Sequence, residues 1–114
     1  MELIDYPKCI AELEGKSLRI GDRIDNLVST VRDIEAEIDT GIAFDATLKN
    51  DAQRKSKRVK DLAEHPIYWE LCEELRSLGM QRDLVNIEVN RLRGEFSVLK
   101  LQKRERIANL ELSI

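Results

Sequence analysis

Apolar side chains recur along the first third of the chain in steps of three and four: Ile20, Ile24, Leu27, Val31, Ile34 and Ile38. Six consecutive Ile, Leu or Val residues at this spacing predict one face of an α-helix with the period of a coiled-coil seam. Carried backwards, the phase meets Ser17, Leu13, Ile10 and Tyr6, and Asp5 before Pro7 makes a suitable helix start. Gly15 and Gly21 weaken this stretch, at about 1 kcal/mol each relative to alanine in a helix interior.

The alternation falters between Asp39 and Asp45, where Gly41 offers a C-cap and Asp45 a new N-cap. The phase nevertheless resumes through Leu48, Ala52, Lys55, Val59 and Leu62, which predicts a weak joint near Gly41 rather than a full turn. His65-Pro66 is the clearest break, because the residue before proline is pushed out of the α region. A second seam then runs from Tyr68 through Leu71, Leu75, Leu78, Arg82, Val85, Val89, Leu92, Phe96 and Leu99 to Leu110.

These elements predict an all-α chain, a long antiparallel helical hairpin of coiled-coil type reversing at His65-Pro66. Residues 5–40 and 45–64 form its first arm and residues 66–112 its second, within a single helical domain, 1–114. Val59 then meets Leu71, Ile38 meets Leu92 and Ile20 meets Leu110. The basic run from Arg54 to Lys60 faces Glu70, Glu73 and Glu74, and the acidic stretch from Asp22 to Asp39 faces the arginines and lysines between Arg91 and Arg106. The alternative is a compact three-helix bundle that reverses at Gly41.

The two arms differ on the side away from the seam. In the first arm that side reads Arg19, Asp22, Asn26, Ser29, Asp33, an ordinary solvated surface. In the second arm it reads Met80, Leu84, Ile87, Arg91, Gly94, Val98 and Leu101, again stepping by four and three. One hairpin partner covers only one side of this helix. The second stripe is expected to be an interface, most simply between two hairpins packing their last helices into a four-helix bundle; the competing expectation is a bent N-terminal half wrapping over it.

Composition narrows the picture further. Two prolines and five glycines in 114 residues leave too few turn signals for an all-β sandwich or barrel. The net charge of −3 counts against a domain built on duplex nucleic acid, which usually carries a positive field. Cys9 and Cys72 lack CxxC spacing and read as small apolar residues in a reducing compartment. The N-terminus lacks the pattern of a signal peptide and no apolar run approaches a membrane span, so a cytoplasmic protein is expected.

Candidate chemistry is sparse. Gly15-Lys16-Ser17 lacks the earlier glycine and the preceding strand of a phosphate-binding loop, since Ile10 stands where the glycine belongs. His65, the single histidine, has Asp61 four residues before it but no further ligands to complete a metal site. The carboxylates are interleaved with lysine and arginine instead of forming an isolated pair in apolar surroundings. Trp69, beside Tyr68 at the expected hairpin tip, either staples the turn or anchors a partner.

In general build the chain resembles small helical chaperones, adaptors and inhibitors of bacteria and viruses, a likeness of architecture that assigns no residue a role. The sequence therefore leads to a non-enzymatic protein–protein interaction module, adaptor, assembly chaperone or inhibitor-like, without metal or cofactor. It is expected to form a homodimer or higher homo-oligomer through Met80, Leu84, Ile87, Gly94, Val98 and Leu101. The alternative is a nucleic-acid accessory protein that contacts phosphates through Arg54, Lys57, Arg58, Arg104 and Arg106.

Overall fold

The computed structural model describes residues 1–113. Helices account for nearly all of them: a 3-10 turn at Leu3–Asp5, then α1 (Tyr6–Ala43), α2 (Asp51–Glu64) and α3 (Tyr68–Leu112). The chain is an all-α helical hairpin. It divides into two compact units, one of Met1–Gly21 with Gln81–Ile114 and one of Asp22–Met80, and α1 and α3 each run through both.

In the first unit α1 and α3 lie antiparallel. Tyr6 is buried at the start of α1, its ring stacked on Phe96 with centroids 5.5 Å apart. Its hydroxyl donates to Glu95 at 3.1 Å, and the Ser17 hydroxyl donates to Asn86 at 2.8 Å. Burial, and then the Glu95 bond, raise the Tyr6 phenol above its usual range. Arg93 pairs with Glu14 across the same two helices. Between these polar flanks Ile20, Val85, Val89 and Leu92 are buried, as the two seams predict. Beyond Phe96 α3 runs on past the start of α1, and every residue from Lys100 to Ser113 is exposed.

In the second unit the buried residues are Leu27, Ile34, Ile42 and Leu62. Arg58 on α2 donates to Asp39 at 2.7 Å and lies 3.9 Å from Glu35. The Tyr68 hydroxyl at the start of α3 also donates to Glu35, at 2.9 Å, and Arg23 holds Glu74 at 2.7 Å. Position number falls along α1 as it rises along α2 and α3, so both run antiparallel to α1.

The reversal expected at His65-Pro66 therefore lies elsewhere, in the segment 44–50, and the joint expected near Gly41 is a full turn. Helix α1 continues through Gly41 to Ala43. The chain then turns on side chains that satisfy its free backbone groups. Asp45 Oδ1 accepts from the Thr47 N–H at 2.9 Å and from its hydroxyl at 2.6 Å. These two bonds hold the Asp45 carboxyl below its usual range. Asn50, not Asp45, is the N-cap of α2, accepting from the Gln53 N–H at 2.9 Å.

At His65-Pro66 one extended residue, His65 with ψ 132°, breaks the arm, and the helical pattern resumes with the Leu71 N–H donating to the Ile67 carbonyl. Proline costs little there because a first-turn N–H has no intrahelical partner anyway. The alternative's reversal near Gly41 is thus close to the observed turn, and its three helices are present. However, α3 continues in the direction of α2 instead of folding back along it.

The ion pairs follow the observed register. Arg58 binds Asp39 and Glu35, Glu74 binds Arg23, and Arg91 binds Glu88 and Glu95 of its own helix. In α2 only Leu62 of the anticipated seam is buried, while Val59 is 69% exposed. Lys57, Arg58 and Asp61 take the half-buried positions beside Leu62.

Candidate interaction surface

Helix α3 is apolar on two sides because it carries two independent stripes at heptad spacing. One is consumed by α1 through Val85, Val89 and Leu92. The other is open to solvent: Met80 is 63% exposed, Leu84 66%, Ile87 63%, Val98 53% and Leu101 61%. No part of α1 wraps over it, so the expected intramolecular cover is absent and the stripe is a free helix face. Gly94 stands within it, exposed, and a Cβ built there meets nothing within 4 Å.

Arg91 interrupts the apolar run. Its guanidinium bonds to Glu88 in the preceding turn and to Glu95 in the following one. Those bonds hold the Arg91 pKa well above its usual range and depress that of Glu88. The arginine thus lies along the stripe as a neutralised cluster. On the flanks of the stripe Asp83 and Arg104 are exposed and enter no ion pair among the described residues.

The other candidates are dispersed. Trp69 is 58% exposed and meets Tyr68 edge-on, with centroids 6.0 Å apart, so it acts as a staple on one side and presents a free surface on the other. Arg54 pairs with Asp51 at 2.9 Å and Lys57 with Asp61 at 3.0 Å, while Arg58 is committed to Asp39. Arg104 and Arg106 belong to the exposed end of α3, in the other unit. His65 is half-buried, and its Nδ1 accepts from the Ile67 N–H at 3.3 Å, a turn contact. Cys9 and Cys72 are half-buried free thiols.

Two features of the first unit were not anticipated from sequence. The expected pairing of Ile20 with Leu110 hid the unpartnered end of α3, where Ile107 and Leu110 are 47% and 61% exposed. A shallow cleft of about 400 Å³ lies between the N-terminus and this end, lined by Met1, Leu3, Leu99, Lys103, Arg106 and Ile107 among others. Among the described residues no group of three or more His, Cys, Asp or Glu side chains is arranged to hold a metal ion. No helix there is long and apolar enough to cross a membrane. No protein-family model, curated protein or solved structure matches the chain.

Proposed function

We propose that this chain is a non-enzymatic, cytoplasmic protein–protein interaction module that self-associates through the outward face of α3. The exposed stripe formed by Leu84, Ile87, Val98 and Leu101 carries the reading. Isolated exposed leucines are ordinary, but four large apolar side chains in heptad register on one helix face form a surface that another helix fits. In this role the protein acts as a scaffold, adaptor or assembly chaperone: the helical pair holds Trp69 and the charged flanks for a further protein to read.

The test is the absolute mass in solution, by light scattering on a sizing column, for the wild type and Leu84→Glu/Val98→Glu. A dimer or larger species split by the double change supports the module. A wild type that stays monomeric at every concentration overturns the self-association.

Phosphate binding is the second reading, favoured by one observation: Arg104 and Arg106 are exposed and free of ion pairs among the described residues. Salt-titrated binding to single- and double-stranded oligonucleotides decides it. Affinity must fall steeply with salt and be lost on charge reversal at both arginines.

A further inference from the structure

Resting on the self-association just proposed, the pattern along α3 also assigns the geometry of the pair. The stripe has a nearly palindromic order: Leu84 and Ile87, then Arg91 and Gly94, then Val98 and Leu101. We infer that two copies pair through α3 antiparallel about a two-fold axis between Arg91 and Gly94, with each Arg91 seated over the partner's Gly94.

Three observations converge on this register. The first is volume. The antiparallel arrangement sets Leu84 against the partner's Leu101 and Ile87 against the partner's Val98, so these four large apolar residues meet one another. The largest side chain of the stripe, Arg91, meets the one position with no side chain. The space at Gly94 is open, with nothing within 4 Å of a built Cβ, so nothing inside the chain itself calls for glycine there. A parallel, in-register pair would set Arg91 against Arg91 and leave a void where two glycines face each other.

The second is charge. Asp83 and Arg104 flank the stripe at opposite ends, exposed and without ion pairs among the described residues. The antiparallel register brings each Asp83 to the partner's Arg104, and the two-fold axis makes the contact twice. The parallel register would put Asp83 beside the partner's Glu88. Glu88 does approach the partner's Glu95 in the antiparallel pair, but both carboxylates are already held by Arg91. Arg91 therefore enters the interface with its counter-charges attached, avoiding the uncompensated buried charge that would otherwise oppose association.

The third is continuity with the intramolecular fold. Val85, Val89 and Leu92 stay on α1, so the pair forms without disturbing the seam already present. An isologous contact of this kind closes on itself at two copies.

Disulfide mapping tests the register. In a Cys9→Ala/Cys72→Ala background, a chain carrying Ile87→Cys is mixed with one carrying Val98→Cys and oxidised gently. Positions 87 and 98 of opposing helices share a layer. Two copies of position 87 lie about 16 Å apart along the axis, beyond the roughly 7 Å limit between Cα atoms for a disulfide. The mixed 87–98 product is expected to exceed either self-linked product by about tenfold, taking disulfide reach as decisive. Self-linked 87–87 and 98–98 products in its place would establish the parallel pair and overturn the inference. A dimeric mass with neither pattern would refute the register while leaving self-association intact. A monomeric mass would remove both. Circular dichroism of each variant against the Cys9→Ala/Cys72→Ala background verifies that helix content is unchanged, as expected for substitutions at the exposed positions 87 and 98.

Discussion

Leu84 and Leu92 lie eight residues apart on one helix, 66% and 3% exposed respectively, so replacing each by alanine separates the two faces of α3. Leu92 sits in the seam against α1 with Val85 and Val89. Leucine-to-alanine changes in cores cost about 2–5 kcal/mol, depending on how far the site collapses. A seam only two helices thick relaxes readily, so the expected cost is in the lower part of that range, about 2–3 kcal/mol. With a urea slope of about 1–2 kcal/mol/M for a chain of this size, the midpoint should fall by roughly 1–3 M.

Leu84→Ala should stay within about 0.5 kcal/mol of wild type when the protein is dilute, because little is uncovered and alanine is the better helix former. The assay is urea unfolding followed by helical circular dichroism at a low and a high protein concentration. Association stabilises the folded state by mass action, so Leu84→Ala should lose ground to wild type only at the high concentration. An equal loss for both variants in dilute solution would place Leu84 in a core and refute the exposed-stripe reasoning.

Three further outcomes follow from the same structure. The Glu35 carboxylate, which accepts a hydrogen bond from the Tyr68 hydroxyl, together with partial burial, pushes the Tyr68 pKa up to about 12. A raised folded-state value means this contribution is complete below pH 10 and lost between about pH 10 and 12. Tyr68→Phe should therefore flatten that part of the alkaline stability profile and cost about 1 kcal/mol at neutral pH, as for a partly exposed bond to a charged acceptor. Asn50→Ala removes the N-cap of α2 and should cost about 1 kcal/mol, seen as faster amide exchange within residues 51–64. Finally, residues 101–112 are exposed and have no partner helix among the described residues, and tertiary packing supplies most of a helix's stability. Their amides should exchange quickly in dilute protein and slow as concentration rises.

Much of this architecture was legible in the sequence. The seam from Tyr6 through Ile20, Leu27 and Ile34 is the face that α1 buries, and Val85, Val89 and Leu92 are its counterpart on α3. The second stripe was legible too, since four-three spacing needs no knowledge of a partner. The place of reversal was not. The connection 44–50 is seven residues long, the length of one heptad, so apolar spacing on its far side can look uninterrupted. Proline at 66 is a strong breaker locally, yet a break in direction is not a reversal. The better signal was Asn50 with Gln53 three residues on, an N-cap pattern that marks a helix start and hence a completed turn before it. Val59 misled for a different reason: α2 docks largely through charge, with Arg58 on Asp39, and an apolar period cannot report that.

The hydrogen bonds across the hairpin form a graded series in chain separation. Arg58 to Asp39 spans 19 residues, Tyr68 to Glu35 spans 33, Arg23 to Glu74 spans 51, and Tyr6 to Glu95 spans 89. Closing a short loop costs less entropy than closing a long one, and each contact made shortens the loop left for the next. Loop entropy therefore predicts an order of assembly in which the turn at 44–50 closes first and pairing extends towards the chain ends. Changes near that turn should slow folding, whereas changes at Tyr6 or Phe96 should chiefly hasten unfolding. By the same entropy argument the contact with the longest loop, Tyr6 to Glu95, is expected to form last.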